Sequence, residues 1–208
     1  MTMKAHLLLT HGAGASCESD FMQQLAAALR QEQIEVSLFN FAYMQARLLN
    51  GTKRPAPQAA VLVPELTQAL AELDSTLPLF IGGKSMGGRV ASLWAAQQIV
   101  LPPGSADRVQ GVFAYGYPFH PPRKTSWRTE HFSALNYPLH IMQGERDPFG
   151  TKAELDIKHW PAVTIDWLIS ADHDFKPLKS SGLTQQGLIK QAANLTSRYI
   201  DAVIAKNK

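Results

Sequence analysis

Short apolar runs alternate with longer stretches of helical period from one end of the chain to the other. Near-continuous apolar runs at about 4 to 10, 34 to 39, 78 to 82, 109 to 115, 138 to 143 and 163 to 169 predict strands buried on both faces. Between them, stretches at about 19 to 33, 59 to 74, 86 to 99, 151 to 158 and 184 to 205 predict helices. Leu25 and Leu29, with the alanines between them, give the first helix an apolar stripe, and Leu62, Leu66, Leu70 and Leu73 give one to the second. Strands and helices in alternation are the pattern of a parallel sheet with helices on both sides. The predicted fold class is therefore α/β, with three layers around a mainly parallel sheet of about six strands.

Two connections are longer than such a fold needs. Asn40 to Gln58 carries Gly51, Pro55 and Pro57, and Gly116 to Glu130 carries Pro118, Pro121, Pro122 and three basic residues. Element patterning resumes directly after each, so both predict ordered loops or lids inside a single domain spanning residues 1–208.

Composition narrows the function more than the fold. The 208 residues are 45% hydrophobic with a net charge of +3, and the basic residues are scattered, without the runs or arginine–aromatic interleaving of a nucleic-acid binder. Cys17 is the only cysteine, so an intrachain disulfide is impossible. The triplet Leu7-Leu8-Leu9 is too short for a signal-peptide core, and no apolar run has the length of a membrane span. The expectation is a cytoplasmic protein with neither nucleic acid nor membrane as a partner.

Chemistry concentrates in Gly82-Gly83-Lys84-Ser85-Met86-Gly87-Gly88. Gly83, Ser85 and Gly87 form a G-x-S-x-G pentapeptide, which chance alone would place in roughly 7% of chains this long. Its position between a predicted strand and a predicted helix is what marks Ser85 as a nucleophile on a sharp turn, flanked by residues small enough to let strand and helix pass. A phosphate loop is the competing reading of Gly83-Lys84-Ser85, but Pro78 stands where that loop needs its first glycine.

A serine hydroxyl needs a base, and the base needs a group that fixes its tautomer. Of the seven histidines, only His173 follows a strand-like run near the C-terminus, in the polar turn Ala171 to Phe175. Asp147, in Gly144-Glu145-Arg146-Asp147-Pro148, is the acid placed by the same logic just beyond a strand. Asp172 and Asp174 are weaker acid candidates, with Glu145 as a fallback. Oxyanion donors are expected from the backbone N–H of Met86 and from the loop Thr10 to Ala15, at Ala13 or alternatively Gly14. Tyr117, Phe119 and Trp127 are candidate substrate-binding walls, with packing as the alternative. Arg123, Lys124 and Arg128 read as a solvated loop, or else as a preference for an anionic substrate. Cys17 reads as a buried small residue and not as a nucleophile.

The chain order serine, acid, histidine is that of α/β-hydrolases. With the loop His11-Gly12-Ala13-Gly14-Ala15, the elbow Gly82 to Arg89 and the stretch Gly116 to Pro122, the sequence resembles small lidless α/β-hydrolases similar to dienelactone hydrolases and predicted esterases. Within these it resembles bacterial predicted hydrolases and the hydrolase-like domain of a subunit of a nuclear histone-acetyltransferase complex. The resemblance implies a six-stranded sheet lacking the family's first two strands, no large cap domain, Ser85, Asp147 and His173 as the catalytic triad, and Ala13 and Met86 at the oxyanion hole. Dienelactone hydrolases proper carry cysteine where this chain has Ser85, so dienelactone itself is not the expected substrate. The implied activity is hydrolysis of a small carboxylic ester or thioester through an acyl-enzyme, without metal or cofactor. Amide or peptide hydrolysis with the same triad, and a binding module that keeps the fold without turnover, are the alternatives.

Overall fold

Side chains alternate across each strand, and that alternation gives the sheet two faces, each covered by helices. The computed structural model describes residues 2–51, 55–97 and 109–206. Its strands are β1 (Ala5–Thr10), β2 (Ile34–Phe39), β3 (Leu79–Lys84), β4 (Val109–Tyr115), β5 (Leu139–Gly144) and β6 (Val163–Leu168). They pair in parallel throughout, in the order β2-β1-β3-β4-β5-β6. The helices are α1 (Asp20–Gln31), α2 (Ala42–Asn50), α3 (Val63–Ala71), α4 (Met86–Ala95), α5 (Lys152–Leu155) and α6 (Gln185–Lys206).

Leu7 and Leu9 of β1, with Phe113 and Tyr115 of β4, face α1 and α6, where Leu25, Leu29, Leu188 and Ile189 complete one core. Leu8, Val112 and Ala114 point the other way, toward Leu66 and Leu70 of α3 and Val90 and Trp94 of α4. Each leucine buried in this way contributes about 2 kcal/mol relative to an exposed one, so the two layered cores hold the sheet. None of the helices among the described residues is long and apolar enough to cross a membrane.

All six predicted strands are present, within two residues of the expected ends. Helix boundaries differ more. The stretch expected to be helical from residue 59 begins as a 3-10 turn, Ala59–Leu62, and becomes α-helical at Val63, with Pro64 in the first turn. Proline suits that place because first-turn N–H groups have no intrahelical partner. The helix expected over 151 to 158 stops at Leu155 after one turn, opened by a capping box between Thr151 and Glu154. Residues 98 and 99, expected at the end of the helix after Ser85, lie outside the described residues.

The expected loop from Asn40 to Gln58 is the clearest miss, because it contains α2. Its run Ala42 to Asn50 is rich in good helix formers, Ala, Met, Gln, Arg and Leu, and is ended by Gly51 in the left-handed region at φ 66°. Only Met44 on it is buried, while Leu48 and Leu49 are exposed, so no apolar stripe advertised the helix.

Strand order decides where chemistry can sit. From β1 the chain steps to β2 on one side, then returns to lay β3 on the other. The loops leaving the carboxyl ends of β1 and β3 therefore diverge, and open α/β sheets place their ligand crevices at such a reversal.

Candidate active site

Ser85 stands between the end of β3 and the start of α4 with φ 50° and ψ −111°. A non-glycine residue held at positive φ outside the left-handed helical well costs of order 1–3 kcal/mol and persists only when its surroundings dictate it. Here the Ser85 N–H donates to the Tyr115 carbonyl at 3.0 Å, and its own carbonyl accepts from the Arg89 N–H at 3.1 Å. The flanking glycines are required by space. A Cβ on Gly83 would lie 2.6 Å from the carbonyl carbon of Gly87, and one on Gly88 would lie 2.7 Å from the Ala114 Cβ.

A hydrogen-bonded relay leaves this serine. Ser85 Oγ lies 2.9 Å from His173 Nε2, and His173 Nδ1 lies 2.7 Å from Asp147 Oδ2. A carboxylate only accepts, so Nδ1 carries the proton and Nε2 is left to accept from the Ser85 hydroxyl. Asp147 is 0% exposed. Its Oδ1 accepts from the Phe149 N–H at 2.8 Å and its Oδ2 from Gln143 Nε2 at 3.0 Å, while Phe149 lies over the imidazole with ring centroids 4.4 Å apart. Both oxygens of the buried carboxylate are thereby met by donors, which offsets the cost of taking it out of water.

The turn that carries His173 is clamped at both ends. Before it, the Ser170 N–H donates to Glu145 at 3.0 Å and the Ser170 carbonyl accepts from Arg146 at 2.9 Å. After it, Asp172 accepts from the N–H groups of Asp174 and Lys176, each at 2.9 Å, and Phe175 is buried against Phe21. Lys84, beside the serine, reaches across to donate to the His173 carbonyl at 2.9 Å and to pair with Asp174 at 3.4 Å. Burial pulls the Lys84 ammonium below its ordinary pKa, against the opposing pull of Asp174 and Asp147.

Two clefts meet at Ser85, Ala13 and Phe149. One, of about 640 Å³, runs past Gly12, Lys84 and His173 toward the start of α1. The other, of about 580 Å³, runs past Met86, Arg89, Pro118 and Arg128. The loop after β1 is braced behind them. His11 is 0% exposed, donates through Nδ1 to the Gly12 carbonyl at 2.6 Å and accepts the Phe41 N–H at Nε2, 3.2 Å away. The Tyr43 hydroxyl donates to the Ala13 carbonyl at 3.1 Å.

A family model described as an alpha/beta hydrolase domain matches residues 3–201. The chain belongs to the α/β-hydrolase family. Among solved structures, an alpha-beta serine hydrolase homologue from Coxiella burnetii has a TM-score of 0.64 at 18% identity, over 96% of this chain and 86% of that one. A dienelactone hydrolase from Anabaena variabilis has a TM-score of 0.63 at 18% identity, over 97% and 87%. A Xanthomonas campestris protein titled a member of a/b serine hydrolase without lid has a TM-score of 0.61 at 17% identity, over 94% and 83%. No curated protein matches the chain by sequence. These likenesses establish the fold, and in this α/β-hydrolase the segment after β4 holds an extended loop and one 3-10 turn, Glu130–Ala134, in place of a helical cap.

That extended loop corrects one expectation. Tyr117 and Phe119 are fully buried and pack on each other and on Phe132, inside the core under α4. The Tyr117 hydroxyl donates inward, to the Arg128 carbonyl at 3.0 Å. Trp127 sits edge-on to His120 with Lys158 over its ring and lines neither cleft. Loop aromatics with this much apolar area are better satisfied as anchors of an otherwise unsupported loop than as cleft walls. The alternative acids are also accounted for: Asp172 holds the turn's backbone, Asp174 faces Lys84, and Glu145 braces Ser170. The Cys17 thiol is buried, donates to the Phe39 carbonyl at 3.2 Å, and is pushed up to about 12 by that burial.

Sequence reasoning missed Gln143, Phe149 and Lys84 as supports of the relay. Gln143 reads as one more residue of an apolar strand. Only its 0% exposure, with Oε1 accepting the Tyr117 N–H at 2.7 Å, reveals a polar group tying β5 to the loop after β4.

Proposed function

We propose that this α/β-hydrolase is a serine esterase or thioesterase that works through an acyl-enzyme on Ser85. The observation that carries the reading is the unbroken relay from Ser85 Oγ through His173 to Asp147, at 2.9 and 2.7 Å, opening into two clefts. Ser85 Oγ attacks the substrate carbonyl carbon while His173 Nε2 takes its proton. The negative oxygen that forms is met by the N–H groups of Met86 and Ala13, each worth about 3 kcal/mol in the transition state. Met86 suits this role because it opens α4, where the first N–H groups have no partner within the helix. Collapse expels the alcohol or thiol, which receives the proton from His173. Water, activated by the same imidazole, then releases the acid and restores Ser85. Asp147 stabilises the imidazolium in both halves.

A fluorophosphonate probe tests the reading directly. Covalent labelling of the folded protein, lost in Ser85→Ala with an unchanged circular-dichroism spectrum, is the expected result. Absence of labelling on well-folded protein sinks the enzyme and leaves a binding module. A series of p-nitrophenyl esters then measures the acyl pocket, and with no cap over the serine, short chains are expected to lead.

A further inference from the structure

Resting on the hydrolase reading, we propose that the Arg89 side of the active centre is a carboxylate subsite, so that the preferred ester carries a negative charge on the arm lying there. The cleft joins Ser85 and Met86 to two guanidinium groups, Arg89 and Arg128, with Ala56, Pro57 and Pro118 as apolar wall. Arg89 sits one helical turn beyond the serine, its N–H donating to the Ser85 carbonyl at 3.1 Å. Its side-chain Nε is sealed from solvent and has no hydrogen-bond partner among the described residues. Arg128 is fixed by its backbone, the N–H donating to the Phe119 carbonyl at 2.7 Å and the carbonyl accepting from Tyr117.

Neither guanidinium forms an ion pair with a carboxylate among the described residues, and exposed Glu130 pairs with neither. The two cations feel each other: burial and then the Arg89 charge lower the Arg128 pKa, and the same two causes push His131 down to about 4. Partly desolvated like charges without a counter-ion cost free energy in the empty protein. The opposite cleft differs, because there Lys84 already has Asp174. A planar carboxylate matches the fork of an arginine side chain and removes both penalties at once.

The test compares esters of matched size. On the acyl side these are p-nitrophenyl hemiglutarate and p-nitrophenyl pentanoate; on the alcohol side, 4-carboxyphenyl butyrate and 4-carbamoylphenyl butyrate. One carboxylate ester is expected to exceed its neutral partner in kcat/KM by about tenfold or more, as a charged hydrogen-bonded pair would give. That ratio should shrink in high salt and collapse in both Arg89→Gln and Arg128→Gln, but persist in Lys176→Gln. Equal or better turnover of both neutral esters, or a ratio that survives both arginine variants, overturns the subsite while leaving the hydrolase standing. If no ester turns over and the fluorophosphonate fails to label, the hydrolase reading falls. The subsite is then judged by calorimetry of monomethyl glutarate on Ser85→Ala: binding that is lost in the added Arg128→Gln supports it, and no binding overturns it.

Discussion

The elbow around Ser85 and the turn around His173 meet at two hydrogen bonds, Ser85 Oγ with His173 Nε2 and Lys84 Nζ with the His173 carbonyl, but are built by different means. Between Gly82 and Gly88 the shape follows from glycines that let strand, helix and the flanking ends of β1 and β4 touch at Thr10, His11 and Ala114, and from a helix that begins directly after Ser85. The turn from Ser170 to Phe175 has two non-glycine residues at positive φ, Ser170 at 61° and Phe175 at 60°, and takes its supports from Glu145, Arg146 and Lys84, far away along the chain. Strain in the elbow is thus held by backbone packing on the two strands beside β3, whereas the position of the histidine depends on side chains reaching it from Glu145, Arg146 and Lys84. Lys84 is the residue that couples them, since it belongs to the elbow and holds the turn.

The sharpest break in that comparison is at the serine itself. Ser85→Ala is expected to lower ester turnover by at least about 10⁴-fold, and Ser85→Gly to be equally inert yet more stable by about 1 kcal/mol, because glycine tolerates positive φ. Turnover measurements and urea melts check the pair. A Ser85→Gly variant no more stable than Ser85→Ala would mean that the elbow stores no strain.

Gly87→Ala attacks the close packing of the elbow on the end of β1. Its new Cβ would lie 2.7 Å from the His11 carbonyl oxygen, so several kcal/mol of destabilisation is expected, and folded yield and Tm should fall together.

Lys84→Met separates the two regions without disturbing either backbone. The His173 carbonyl and Asp174 lose their shared cation. A fall in kcat of about tenfold to a hundredfold is expected as the imidazole drifts by a fraction of an ångström, with KM for a neutral ester and the circular-dichroism spectrum little changed. An unaltered kcat would show that the turn holds itself.

The smallest effect is on stability in acid, and it belongs to the distant scaffold. His140 on β5, the strand that carries Asp147 at its end, is pushed down to about 4 by burial. Below the ordinary value of 6.5 the unfolded chain takes up a proton that the folded protein refuses, so stability is full above pH 6.5 and falls as pH drops toward 4. Melting temperatures across that window should fall less steeply in His140→Phe, a ring that can keep the stacking on Phe113. Identical slopes would remove His140 from the account.

Much of this was legible before any coordinates. Apolar runs announced the six strands because a sheet covered on both faces buries nearly every position of its inner strands, leaving only the edge strands β2 and β6 with exposed Glu35 and Thr164, and the pentapeptide announced the sharp turn at Ser85 because small residues beside it let strand and helix pass. The α2 helix escaped because its only buried residue is Met44. Tyr117 and Phe119 were left between substrate contact and packing because an aromatic in a loop looks the same in sequence whether it faces a cleft or props up the loop from beneath, and their full burial decides for packing.

Periodicity and glycine placement, which act between near neighbours, determined by themselves the α/β class, the elbow and the order in which the three polar side chains follow their strands. Only the tertiary structure decided that the strand order reverses between β1 and β3, that Lys84 holds the histidine turn, and that Arg89 and Arg128 share one cleft without a counter-ion among the described residues. Those are through-space matters of charge and packing between segments that chain connectivity keeps apart, and no local pattern of residues encodes them.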